Sequence, residues 1–479
     1  MTAWYVGNLA TAGSNAGTLA NPWKGWVSVT WASLAAGDTL NVIGSVEVAN
    51  YAAMGAHGGV EGNEVTIQSY GAGGTLAVAS NGNIFVNRSN TIMSGITVTG
   101  TVLIESATAS YPATLGYNVK IINCIVNIGG VYIQGYNADY SYGKLQFINN
   151  TIQNCTTGIQ LLGTSISGAK TIQVNGFTAT GNTIDTIINS AIELRFESST
   201  KVTSSSYIND VEITGNTLSN IGSGVGGGQF IRLIASPSDS IVPTSDRVNV
   251  SNNTMHDDGL VGGINAIGGV AIFGYGKTAT TFENKFQYNT VYNSYGVYGG
   301  CNVLVSNYVD VSYNSISNIA TGTIDGNGVL VDLYANYIRV HHNTMSNING
   351  KAGVVNSGCG VMILGYSEYI EVYNNTVTRC LKGLYNGGVT SSKVLVKDND
   401  FLECTVYGIK HGSTAYPVVI NNRFTGYGGS STSVTSIQVN TNLVHGYNSF
   451  ENFVNGMVNQ TMNGTESTTQ INRFIGNIS

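Results

Sequence analysis

Along most of this chain, apolar residues recur at every second position in short runs, and each run stops at an asparagine-rich turn. "KLQFINN" ends at Asn150 and "YIRVHHN" at Asn343. Alternation at period two marks a strand with one buried face. Beyond the turn come Thr or Ser, an apolar residue and often a further Asn, as in "NTIQNC" and "NTMSNI". A second run then opens on a small residue: "GIQL" at Gly158, "AIEL" at Ala191, "GVLVDL" at Gly328, "GVMIL" at Gly360. A sustained helical period is absent.

The last Asn of each turn works as a ruler, at 150, 182, 216, 253, 289, 314, 343, 375, 399, 422, 448 and 472, with gaps of 23 to 37 residues. "INCIV" is a degenerate earlier copy with Cys124 in the ruler place. A unit this short excludes helical solenoids, which need about 33 residues, and four-stranded propeller blades, which need about 40–45. What remains is an all-β parallel β-helix of about 13 coils, each hydrogen-bonded to the next. Asn suits its turns because it tolerates left-handed backbone and its amide both donates and accepts along the stacking axis. Cys155, Cys380 and Cys404 stand where Ile187, Ile221, Ile319 and Ile348 stand in other copies, which predicts core packing for the thiols.

Composition narrows the function classes. Only 10% of the 479 residues are charged, against 42% hydrophobic, so the polar surface must rest on Asn, Ser and Thr. A net charge of −6 gives no basic footprint for nucleic acid. No apolar run is long enough for a membrane span, and "MTAWYVGNLA" lacks a secretory leader. All four Trp lie in residues 1–45, which predicts a capping segment with a short helix from Trp23 to Leu34. Residues 46–479 form the β-helix, with loop insertions concentrated at 190–275.

"YVGNLATAGSNAGTLANPW" followed by "AAGDTLNVIG" resembles the N-terminal lead-in of right-handed β-helix proteins of the pectate-lyase-like superfamily. The Asn-Thr-Ile turns are similar to that superfamily's repeat. The resemblance implies a right-handed winding and a carbohydrate-related role. It spans lyases, hydrolases, epimerases, adhesins and phage tailspikes, and fold alone does not choose among them. The likeness is greatest to a phage tailspike depolymerase, which implies a homotrimer and an extracellular or virion-associated setting. The Asp-Pro-His-Asp signature of alginate epimerases is missing, and no polygalacturonase residue set transfers.

Candidate chemistry follows the long gaps between residues 150 and 289, because loops on a rigid scaffold carry function. Read in register, the outward row runs Gln160, Glu193, Arg232, Ala271, Tyr298, Leu330, Met362, Tyr385 and Lys410. Glu193, Arg195 and Glu197 share the outer face of one strand, and Arg232 lies one coil on. Asp239 sits in the following loop, and "NTMHDDG" brings His256, Asp257 and Asp258. Asp257 replaces the usual second Asn, while Asp258 falls at an inward position and requires a bulge to turn it out. Two carboxylates would serve a glycoside hydrolase. Arg195 and Arg232 holding a uronate, with His256 or a Tyr as base, would serve a lyase. Glu193 and Arg232 equally satisfy a plain cross-strand ion pair. Glu197, Asp239, Tyr298, Asp332 and Tyr334 are the expected substrate contacts. Ca²⁺ held by Asp and Glu is conceivable, but no ligand motif fixes it. The expectation is cleavage of an extracellular or capsular polysaccharide, the alternatives being a non-catalytic glycan-binding rod or a secreted bacterial polysaccharide lyase.

Overall fold

The computed structural model describes residues 1–8, 15–48, 52–53, 59–78, 83–86, 89–106, 118–135, 140–164, 172–197, 207–222, 229–235, 244–258, 268–273, 281–295, 297–320, 326–350, 357–387, 393–412, 417–426, 435–439, 444–446 and 448–451. The chain is an all-β, right-handed parallel β-helix. It divides into two compact units, Met1–Ile221 with Ile231–Asn249, and Gly222–Phe230 with Val250–Ser479.

In the first unit, three stacks of strands repeat from coil to coil. One holds Tyr140–Ile148, Ile172–Thr180 and Tyr207–Thr214, ahead of the turn. The next holds Thr151–Cys155, Thr183–Ile187 and Thr217–Ile221. The third includes Ile159–Thr164 and Ser190–Glu197. Register is set by the inward residues: Phe147 pairs with Ala179 and Ala179 with Ile213, while Ile152 pairs with Ile184 and Ile184 with Leu218. Cys155 pairs with Ile187 and Ile187 with Ile221, so the thiol replaces an aliphatic side chain in the core. All six cysteines are buried and none forms a disulfide.

The second unit repeats the scheme with Asn307–Ser312, Asn336–His341 and Glu368–Tyr373, then Ser315–Ala320, Thr344–Asn349 and Thr376–Thr378, then Asn327–Asp332, Cys359–Ile363 and Lys382–Asn386. Glycine opens the third stack for a steric reason. A Cβ on Gly360 would lie 2.4 Å from Val377 Cγ1 and 2.8 Å from the Gly383 carbonyl oxygen.

The ruler asparagines form the expected ladder. Asn150 donates through its backbone N–H and its Nδ2 to Asn182 Oδ1, at 2.9 and 3.0 Å. Asn182 repeats this to Asn216. In the second unit the same pattern runs from Asn253 through Asn289, Asn314, Asn343, Asn375, Asn399 and Asn422 to Asn448. Cys124 donates its backbone N–H to Asn150 Oδ1, which fits its place at the ruler. One detail corrects the expectation. The ladder Asn is not the left-handed residue; its predecessor is, as at Asn149 (φ 54), Asn252 (φ 57) and Asn374 (φ 53). A second left-handed residue lies four places after the ladder Asn and a third six places before it, as at Asn154 (φ 56) and Lys144 (φ 53).

The N-terminal segment departs from the sequence reading. No α-helix forms between Trp23 and Leu34. Two 3-10 turns, Trp26–Ser28 and Trp31–Ser33, take its place, because Gly25 and the β-branched Val27, Val29 and Thr30 disfavour a longer helix. Trp23 is buried and stacks on Trp4 at 5.2 Å. Asp38 ties the segment together by accepting from Thr2 N, Trp4 Nε1 and Ala35 N. Burial alone would raise its pKa, but these donors outweigh it and hold the carboxyl low.

Candidate active site

The strand Ser190–Glu197 alternates inward Ile192 and Leu194 with outward Glu193 and Arg195. Glu193 is on the outer face as expected, yet only 3% exposed. Its Oε2 accepts from Gln160 Nε2 at 2.6 Å, and its Oε1 accepts from Arg232 Nη1 at 2.8 Å. Arg195 Nη1 lies 3.7 Å from the same Oε1. Two guanidiniums therefore crowd one carboxylate. Burial, and then the repulsion of Arg232, pull the pKa of Arg195 down. Among the described residues, Arg232 Nε is buried with no hydrogen-bond partner. Tyr132 pairs in register with Gln160, and Gln160 with Glu193, so all three share one outer row. Burial raises the Tyr132 pKa.

Other expected residues fall elsewhere. Glu197 ends the same strand, paired with Thr164, but its side chain lies outside the described residues. Asp239 lies outside them too, as do stretches 198–206, 236–243 and 259–267 of the expected loop insertions. His256 and Asp257 belong to the second unit. His256 stacks on Tyr292 at 4.9 Å, and its Nδ1 is 2.7 Å from Asp257 Oδ2. That bond comes first among the causes holding the Asp257 pKa low. Asp257 adopts φ 55 and accepts from Asn293 Nδ2 at 3.1 Å. Asn293 in turn accepts from Asn318, and Asn318 from Asn347. Asp257 thus takes the acceptor end of an outer amide ladder, the role of the Asn it replaces. Asp258 ends the strand Thr254–Asp258, and nothing of its side chain is described.

Two register expectations need correction. The outward row passes through Asn302, not Tyr298: Asn302 pairs with Ala271 and with Leu330. Cys301 and Val303 are the inward residues, and a register shift between Gly268 and Val270 moves the strand. Leu330, Met362 and Tyr385 lie in the expected row but are buried together with Cys359, against Leu304 and Leu364. Alternation assigns a face; it does not say whether that face is covered. Of the expected patch of Asp332, Tyr334 and Tyr298, the Tyr298 side chain lies outside the described residues. Asp332 Oδ1 accepts from Leu333 N in its own turn, and Tyr334 stacks on Tyr366 at 4.8 Å.

One cluster escaped the sequence reading. The outer faces of Asn307–Ser312, Asn336–His341 and Glu368–Tyr373 carry Asp310, Arg339 and Glu371 in one row and Ser312, His341 and Tyr373 in the next. Asp310 Oδ1 lies 3.1 Å from His341 Nε2, and Arg339 Nε is 3.2 Å from Glu371 Oε2. The signal was present in "NYVDVSYN", "NYIRVHHN" and "EYIEVYNN", three copies of one outward pattern. Among the described residues, no three His, Cys, Asp or Glu converge as a metal-ligand set, and no helix is long and apolar enough to cross a membrane.

Parallel pairing and the amide ladder define the class, a right-handed β-helix. The sequence matches no protein-family model and no curated protein. Solved structures similar to this chain include the GH136 lacto-N-biosidase from Eubacterium ramulus, at 9% identity and TM-score 0.33, over 94% of this chain and 68% of the other. The Azotobacter vinelandii mannuronan C-5 epimerase AlgE6 A-module is 14% identical with TM-score 0.40, over 86% and 91%. The alginate lyase AlyF-OU02, in a complex structure with G6, is 11% identical with TM-score 0.31, over 87% and 83%.

Proposed function

We propose that the chain is a carbohydrate-active β-helix that binds and cleaves an acidic polysaccharide on the outer face around Glu193. The observation that supports this is the pairing of Arg195 and Arg232 around one nearly dry carboxylate. Glu193 neutralises one guanidinium and, with Gln160, orients the pair. Guanidiniums held in this way suit a uronate carboxylate. Holding that carboxylate stabilises the charge that develops when the adjacent ring proton is removed, so the chemistry supported best is eliminative cleavage. The sequence's likeness to phage tailspike depolymerases adds a homotrimer and an extracellular or virion-borne setting to the proposal.

The test is digestion of alginate, polygalacturonate, hyaluronan and a set of bacterial capsules, followed by ultraviolet absorbance of unsaturated products and by reducing-end release. Absorbance rising with chain scission supports elimination, while reducing ends alone indicate hydrolysis. The Arg232→Met variant should lose about 100-fold in kcat/KM on whichever polymer is cut. If no polymer is cut, or if Arg232→Met cuts as well as the wild type, the proposal fails.

A further inference from the structure

The second unit carries two aromatic columns at places where an aromatic side chain is conformationally costly. Six residues before the ladder Asn stand Tyr308, Tyr337 and Tyr369, with φ of 55, 57 and 58. Their rings stack at 4.6 Å in both steps. One residue before the ladder Asn stand Tyr288, Tyr313 and His342, with φ of 56, 57 and 55, stacked at 5.0 and 4.8 Å. Left-handed backbone favours Gly, Asn and Asp. Other coils follow that preference at the second position, with Asn149, Gly181, Gly215, Asn252, Asn374, Asp398 and Asn421. Strain held in the same place over consecutive coils points to a use for the side chain.

Between the columns lies the face bearing Asp310, Arg339 and Glu371, and the inner edge of the first column is concave. A cavity of about 400 Å³ is lined there by Phe282, Tyr337, Tyr369, Arg339, Glu371, Lys393 and Leu395. The polar groups are already oriented. Arg339 lies over the Phe282 ring at 3.9 Å and pairs with Glu371, and Lys393 Nζ donates to Tyr369 Oη at 3.0 Å. Because the tyrosines stack on one another, they offer the trough their ring edges and hydroxyls. Acidic and basic groups alternate along it, so it selects for hydroxyl groups and not for one sign of charge. Successive coils follow one another about 4.8 Å apart along it. Apolar side chains lining one cavity together with fixed donors and acceptors are the chemistry of a sugar-binding cleft.

From this we infer that the trough of the second unit is a glycan-binding site, occupied by a pyranose oligosaccharide held through its hydroxyls. The site belongs to one unit and does not depend on the chemistry proposed for Glu193. Calorimetric titration of the full chain with hexasaccharides of cellulose, mannan, xylan, agarose and alginate tests it. At least one should bind, with an affinity that changes little between low and high salt. The double variant Tyr337→Asn, Tyr369→Asn should bind at least tenfold more weakly while melting at the same or a higher temperature, since Asn fits those turns better. Glu193→Gln should bind the neutral hexasaccharides as the wild type does, which separates this site from the proposed cleavage. Should the double variant also melt lower, Lys393→Ala decides, because it removes an exposed side chain of the lining and keeps both tyrosines. Unchanged binding in Lys393→Ala, or in a stably folded double variant, overturns the inference. So does the absence of binding by every hexasaccharide at millimolar concentration, or a steep loss of affinity with salt.

Discussion

Replacing Asn182 probes the ladder where its bonds can be counted. Its Oδ1 accepts from Asn150 N and Nδ2, and its Nδ2 donates to Phe147 O and Asn216 Oδ1, each at 2.9 to 3.0 Å, with the residue 1% exposed. Asn182→Ala strands the Asn150 N–H and takes one donor from Phe147 O, whose strand pairing remains. Asn150 Nδ2 keeps Ile121 O, and Asn216 Oδ1 keeps the Asn182 backbone N–H. One stranded buried N–H at about 1–3 kcal/mol, with the lost side-chain bonds at about 1 kcal/mol, gives a loss of about 3 kcal/mol. Asn182→Asp should be worse near neutral pH, because it aims a second carboxylate oxygen at two acceptors without access to water. Its folded-state pKa is then raised above the unfolded value of about 3.9. Stability is therefore least impaired below that pH and falls as pH rises through the folded pKa. Denaturant unfolding of wild type, Asn182→Ala and Asn182→Asp at neutral and acidic pH measures this. The reasoning is refuted if the Asp variant loses less than about 1 kcal/mol at neutral pH, or if acid does not narrow its gap to the wild type.

Three further outcomes follow from named contacts. Gly360→Ala should cost about 2 kcal/mol or more in denaturant unfolding, since its methyl overlaps Val377 and the Gly383 carbonyl oxygen. Glu64 accepts from Asn118 Nδ2 at 2.9 Å and pairs with Lys120 at 3.2 Å, and its pKa falls from 4.5 to about 2, the Asn118 bond first among the causes. Its contribution is present above pH 4.5 and lost as pH falls through about 2, so Glu64→Gln should flatten the melting-temperature profile over that interval. Burial, and then His341, hold the His342 pKa below 6.5; its neutral form supports the fold, and stability drops as pH falls through the folded pKa. His342→Asn, with a residue suited to φ 55, should melt higher than the wild type, with the largest gain at acidic pH, as followed by calorimetry.

The ladder was legible because a hydrogen-bonded Asn column tolerates no substitute in the coils where it repeats, so the ruler from Asn150 to Asn448 marks bonded residues. What the letters could not divide was labour within an Asn-Asn pair: at 149 and 150 one residue bends the backbone and the other bonds along the stack. Composition is blind to that, since the same side chain serves both needs. Register was lost at Tyr298 for a comparable reason. Gly299 and Gly300 remove the side chains that would mark the face, and only the inward Cys301 and Val303 recover it. The Glu193 and Arg232 contact was legible because a strand's period and a coil's length together set it, and both are written in the sequence.

The cluster around Asp310 and His341 was missed because attention to long gaps favours loops, while this face lies in some of the shorter coils. That contrast has a physical consequence. A β-helix can enlarge its surface chemistry by inserting loops, or by keeping the coil short and placing unusual residues at the turns every coil must make. A turn residue is displayed at a fixed height and angle, so three copies make a straight column without any loop to order. The cost is left-handed strain of about 1–2 kcal/mol per tyrosine, which ring stacking at about 0.5–1.5 kcal/mol per pair only partly offsets. For Tyr308, Tyr337 and Tyr369 the strain thus exceeds the stacking, and stability alone would favour Asn at each site. The tyrosines are explained by what their hydroxyl edges face.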